Sequence, residues 1–147
     1  GTGFRATDFL SSLEIHGLDG AKLSDAWAAG AHAYYGMTVP RFPNLVILYG
    51  PNTNTGGGSI LYFLEAQARY LRALSDHIAR SGRPAMVRAD VEAAFDREMQ
   101  DALRDSVWGA CTSWYRSESG RIPTNWPYLA ASYARRARFN PADFESL

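Results

Sequence analysis

Cysteine and lysine are almost missing from this sequence: Cys111 and Lys22 are the only ones. A lone cysteine excludes an internal disulfide framework and makes a reducing, cytoplasmic setting the natural expectation. With Lys22 as its only lysine, preceded by Ala21 and followed by Leu23, the chain excludes a phosphate loop of the GxxxxGK[ST] type. Charge of one sign is not in excess either. Fifteen basic residues, nearly all arginine, balance fifteen acidic ones, so nothing marks a nucleic-acid or acidic-membrane partner. Apolar runs are too short for a signal peptide or a membrane span, and no repeat or low-complexity segment occurs. What remains is a chain of 147 residues, a length that fits one domain with a real core. It opens on Gly1-Thr2-Gly3-Phe4 without an initiator methionine, which reads as a start inside something larger.

The stretch from Asn44 to Leu74 organises the rest. Leu45–Tyr49 is a short apolar run bounded by Pro43 and by Gly50-Pro51, the pattern of a buried strand. A polar loop (Asn52-Thr53-Asn54-Thr55) and three glycines, Gly56 to Gly58, follow. Ser59 then caps a long helix whose apolar positions Ile60, Leu64, Leu71, Leu74 and Ile78 fall on one face. A strand that feeds a glycine-rich turn at a helix start is a place where backbone N–H groups meet anions and cofactors. The named versions of that motif do not fit: GxSxG and GxGxxG both fail at Leu61. A turn that simply lets helix and strand pack closely explains the glycines equally well.

Upstream, Leu13–His16, the Gly17–Gly20 turn and Ala21–Leu23 form a hairpin candidate, and Ser24–Trp27 starts a short helical piece ending at Gly30. Downstream, Ser81-Gly82-Arg83-Pro84 stops the long helix, and Met86–Arg88 reads as extended. Asp90 is the expected N-cap of a second helix carrying Val91, Phe95, Met99, Leu103 and Val107 at helical spacing. Cys111–Arg116 reads as extended and turns back through Ser117–Gly120, and a last helix runs from Tyr128 to Arg138. The tail is rich in aromatics (Trp108, Trp114, Tyr115, Trp126, Tyr128), which either cover a core or line an apolar pocket.

Catalytic sets are not legible. His16, His32 and His77 sit in three separate elements without ligand spacing to Cys111 or to an acid, Glu65 has no paired carboxylate, and no Cys–His or Ser–His couple is indicated. The residues supply no metal site and no catalytic group, which suits a protein whose hard chemistry belongs to a cofactor.

The order of the pieces resembles the C-terminal part of flavin-dependent Baeyer–Villiger monooxygenases of the 4-hydroxyacetophenone monooxygenase type. The resemblance rests on GTGF at 1–4, LEIHGLDGAKLSDAW at 13–27, AYYGMTVPRFPNLVILYGPNTNTGGGS at 33–59, the helix with Glu65 and Gln67, and SWYRSESGRIPTNWP at 113–127. It implies an α/β fold, the C-terminal half of a Rossmann-like FAD/NAD(P)-binding domain over 1–82, with a helical and β-hairpin extension over 83–147. It implies FAD and NADPH as cofactors, a ketone and O2 as substrates, and oxygen insertion through a flavin C4a-peroxide. Thr2, Gly3, Gly50, Pro51, Asn52, Thr53, Asn54, Ser59 and Ile60 would then lie along the flavin, and Trp114, Tyr115 and Trp126 would wall the substrate side. The family's glycine fingerprints, its FxGxxxHTxxW/P motif and its peroxyflavin-supporting arginine have no counterpart here, so this stretch is expected to be inactive without the missing N-terminal portion of the same protein. Two other readings stay open: an N-hydroxylating flavin monooxygenase, and a non-enzymatic aromatic-rich binding domain. A strand left without sheet neighbours would also favour self-association.

Overall fold

The computed structural model describes residues 7–110 and 114–147. Thr2, Gly3 and the first part of the Cys111–Arg116 segment lie outside the described residues. In chain order the elements are α1 (Leu23–Ala26), α2 (Ile60–Ser81), β1 (Ala85–Val87), α3 (Ala89–Arg104), α4 (Val107–Ala110), α5 (Ala130–Arg136) and β2 (Phe144–Ser146), with single 3-10 turns at Leu18–Gly20 and Pro141–Asp143.

α2 begins where its cap residue stands: the Ser59 hydroxyl accepts the Leu61 N–H at 3.2 Å. It ends at Gly82, whose left-handed backbone (φ 65°) lets its N–H reach the Ile78 carbonyl. The buried face is not the one expected from the aliphatic residues. Phe63, Ala66, Gln67, Tyr70 and Leu74 are buried, while Ile60, Leu64, Leu71 and Ile78 are half-covered at the edge of that face. The apolar face of the helix is wide enough to hold both stripes, and the aromatic partners waiting opposite decided which one turned inward. Phe63 packs on Tyr133 of α5 with ring centroids 4.5 Å apart, and Tyr133 in turn meets Tyr35 and Trp126 edge-on.

α3 carries its expected Phe95, Met99 and Leu103 inward, and its cap is Arg88, with Asp90 in the first turn. It stops at Arg104, so Val107 belongs to a separate short helix and stands exposed. The sheet that the described residues contain is the antiparallel pair β1·β2, in register Ala85↔Ser146 to Val87↔Phe144. It folds the C-terminus back onto the strand after α2. One core cluster joins residues from Tyr34 to Phe144, and a smaller one gathers Leu23, Ala33, Val39, Phe42 and Ile47.

Two expectations are corrected. Leu45–Tyr49 is not a buried strand: it joins no ladder among the described residues, Leu48 and Tyr49 are about half exposed (49% and 47%), and Tyr49 takes a left-handed φ of 57°. The run meets the core at Ile47, whose N–H bonds to the Met37 carbonyl at 2.9 Å. The Ser117–Gly120 reversal likewise exists as a turn, closed by the Ser117 N–H to the Arg121 carbonyl at 2.8 Å, with no strand ladder around it among the described residues. The hairpin candidate at 13–23 survives as the single bridge His16↔Lys22.

Candidate functional site

The polar loop after Tyr49 is built by two close approaches. Gly50 lies against Gly36 so tightly that a Cβ on Gly50 would stand 2.2 Å from the Gly36 carbonyl oxygen. On the other side, residues 52–54 are stitched to 123–126. Asn52 N–H reaches the Pro123 carbonyl (2.7 Å), Asn54 N–H the Thr124 carbonyl (2.9 Å), and Trp126 N–H the Asn54 carbonyl (2.8 Å). The pairing amounts to a one-residue parallel bridge between Asn54 and Asn125. The left-handed turn at Asn52 (φ 57°) is tolerated because asparagine accepts that conformation more readily than most residues.

Side chains complete the seam. The buried Asn52 amide donates to the Ile122 and Asn125 carbonyls at 2.8 and 2.9 Å, and the Thr53 hydroxyl donates to Gly50 O at 2.7 Å. The Asn54 amide donates to Asn125 Oδ1 at 3.0 Å and its oxygen accepts from Tyr49 Oη at 2.9 Å. Of the predicted flavin-side residues, Gly50, Pro51, Asn52 and Thr53 are therefore buried and committed within the loop, Ser59 is the cap of α2, and Ile60 packs at the margin of the core. Two polar atoms at the seam take no partner among the described residues: Thr124 Oγ1 and Asn125 Nδ2. Thr124 lines a small cavity of about 200 Å³ with Phe9, Tyr49, Gly50 and Asn54.

A larger cavity, about 720 Å³, opens beside the glycine turn between Thr55–Gly57, Trp108, Trp126 and Tyr128. Gly56 is required there, since a Cβ would fall 2.6 Å from the Trp108 ring. At Gly57 and Gly58 a Cβ would meet nothing within 4 Å among the described residues, so none of these blocks approach to the backbone there. Trp126 lines this cavity and is itself largely buried. Tyr115 reaches it indirectly, standing edge-on to Trp108 with centroids 5.3 Å apart, and Trp114 stacks outside on Tyr115 and is half exposed. The charged lining residues are Arg135 and Arg136. Arg136 is held by Glu98 at 2.7 Å and lies over the Trp126 and Tyr128 rings, 5.7 and 5.4 Å from their centroids. The Arg136 guanidinium keeps the Glu98 carboxyl below the usual carboxylate range. A separate cavity of about 400 Å³ lies between residues 7–13 and α1, away from this loop.

Sequence reasoning missed three participants: Gln67, Tyr133 and Asn125, which carry the buried hydrogen bonds around the loop. Gln67 had a signal, a lone amide among apolar residues on a helix face. It also missed that the fold brings Glu92 of α3 onto His32, 2.8 Å from Nδ1, while Nε2 faces the Ala26 carbonyl at 3.2 Å. The Glu92 hydrogen bond raises the His32 pKa against the opposing effect of burial, and each ring nitrogen faces an acceptor.

No family model matches this chain. Its likeness is to flavin monooxygenases. It is 39% identical over 153 residues to the FAD-binding monooxygenase ktnD of Aspergillus niger, covering 97% of this chain and 25% of that protein. It is 36% identical over 147 residues to a Baeyer-Villiger monooxygenase of Streptomyces coelicolor, covering 94% of this chain and 27% of that protein. The fold matches the crystal structure of cyclohexanone monooxygenase from Rhodococcus sp. Phi1 bound to NADP+, with a TM-score of 0.83 at 21% identity over 99% of this chain and 29% of that one. The chain spans about a quarter of the length of the curated relatives it matches.

Proposed function

We infer that the chain is the C-terminal part of an FAD- and NADPH-dependent monooxygenase, of the Baeyer–Villiger, 4-hydroxyacetophenone type, acting on a ketone with O2. Residues 1–82 complete a Rossmann-like FAD-binding domain contributed mainly by the rest of the protein, and 83–147 form an extension packed on it. The observation that carries this reading is the seam at Asn54–Asn125. It joins the loop expected along the flavin to the aromatic tail expected around the substrate, although 71 positions separate them.

The residues fit a flavin edge. Thr124 Oγ1 and Asn125 Nδ2 have hydrogen-bonding capacity that no described residue takes up, and the open backbone at Gly57 and Gly58 gives close access. Asn52 and Thr53 shape that edge from within, and the loop backbone and Asn54 present polar groups to it. When bound, FAD reduced by NADPH supplies the oxygen activation. This chain's own residues bind and orient: Trp126 and Tyr128, edge-on to each other, offer an aromatic corner to the ketone, and the Glu98–Arg136 pair fixes that corner by an ion pair and a guanidinium over both rings. The exposed Leu48 and Tyr49 face the remainder of the domain and would favour self-association of the isolated piece. No helix among the described residues is long and apolar enough to cross a membrane, and the single cysteine fits a cytoplasmic enzyme.

The test is product analysis of the full-length protein with FAD, NADPH and O2. Aryl or cyclic ketones are expected to yield esters or lactones, with the isolated 147-residue stretch inactive. N-hydroxylated amines as the products, or a full-length protein that takes up no FAD, would overturn the reading.

A further inference from the structure

Gln67 lies in the middle of α2 with no exposed surface, on the face that carries Phe63 and Tyr70. Its Oε1 accepts the Tyr49 N–H at 3.0 Å, and its Nε2 donates to Tyr133 Oη at 2.9 Å. Tyr133 then donates to the Tyr35 carbonyl at 2.7 Å. Both ends fix the direction, because a backbone N–H only donates and a carbonyl only accepts. The amide therefore has one orientation and the hydroxyl one rotor. All the side chains involved are buried, and burial of the Tyr133 phenol pushes its pKa up, so the proton stays in place.

This relay crosses three parts of the fold, the turn at 34–38, α2 and α5, and it ends on the left-handed residue just before Gly50-Pro51-Asn52. Backbone bonds hold the chain on either side, at Ile47 to Met37 and at Asn52 to Pro123. At the Tyr49 backbone the tether is the Gln67 side chain, while the Tyr49 hydroxyl donates within the loop to Asn54 Oδ1. We propose that Gln67 and Tyr133 are positioning residues that set the conformation of the loop from Tyr49 to Asn54 for the flavin. The proposal rests on the reading that this loop faces FAD. A strained backbone persists where its surroundings over-determine it, and a buried amide hydrogen-bonded on both sides does that here.

The experiment uses the full-length protein with Gln67→Leu, Tyr133→Phe and, as a control of ordinary core packing, Val87→Ala in β1, which is buried (1%) and remote in sequence from the loop. Three quantities are read: hydrogen exchange at the Tyr49 amide, the FAD dissociation constant, and the visible flavin absorption bands. Both relay variants are expected to lose about tenfold in Tyr49 protection and in FAD affinity, with shifted bands. The control is expected to melt lower and keep the bands and the affinity of the wild type. Folded relay variants with wild-type affinity and bands would overturn the proposal, as would a control that shifts them equally. Should the wild type take up no FAD, the loop-facing reading fails, and Tyr49 exchange still decides whether the tether exists: unchanged protection refutes it. Should Gln67→Leu not fold, Tyr133→Phe carries the same comparison, since it removes one hydroxyl and keeps the ring.

Discussion

Two regions of this molecule hold their shape by different means. The helical region, α2 with α5 and the aromatic cluster around Phe63 and Tyr133, is packed side chain on side chain in regular elements. The loop region, residues 30–59 with 114–129, is held by single backbone bonds, buried amides, and glycines placed where two strands of chain touch. Its residues Tyr35, Arg41, Asn44, Tyr49 and Asn52 all take left-handed backbone. A packed helix pair tolerates change in proportion to the volume lost, because neighbours relax into part of the gap. A seam of specific bonds and close approaches has no such gradation, since an added atom or a lost partner leaves backbone clashes or orphaned polar groups. The loop proposed to face FAD is in the second kind of region, where a ligand can meet backbone directly.

Substitutions that probe each region sharpen this contrast. The largest effect is expected at Gly50→Ala: the new Cβ would stand 2.2 Å from the Gly36 carbonyl oxygen, and both partners are backbone. Loss of about 5 kcal/mol or more, seen as a collapse of the denaturation midpoint, is expected. A loss under about 1 kcal/mol would mean the two segments slide freely, and the contrast would fail. Phe63→Ala, in the helical region, should cost about 4 kcal/mol with the fold retained, as a cavity beside Tyr133. Equilibrium unfolding by urea measures both.

The smallest effect is electrostatic. His32 has its pKa raised by Glu92, so the folded state binds its proton more tightly than the unfolded chain. That contribution is fully present below the ordinary histidine pKa of about 6.5 and is lost as pH rises through the raised value. Stability should therefore decline on going from slightly acid to alkaline pH, and His32→Gln should flatten that slope. A wild type and variant with parallel pH–stability profiles would show that the pair carries no linkage.

The two long helices were readable for different reasons: α2 has its own start and stop at Ser59 and Gly82, whereas α3 showed through its Phe95–Met99–Leu103 repeat although its ends fell elsewhere than expected. Which face of α2 turned inward was not readable, since Ile60 and Leu71 are as apolar as Phe63 and Tyr70. The run Leu45–Tyr49 looks like a strand locally, yet a strand needs a neighbour to bond with, and none of the described residues supplies one. The aromatic pattern left Trp126 open between core and pocket, and Gln67, Tyr133 and the His32–Glu92 pair left no trace, because their partners lie 18 to 98 positions away.

The sequence alone determined where α2 begins and ends, at the Ser59 cap and at Gly82, because caps and turn residues act within a few positions. Only the tertiary structure decided that the Tyr49–Asn54 loop is tied to α2 and to Asn125, since hydrogen-bond partners so far apart in the chain are chosen by packing and leave no periodic trace.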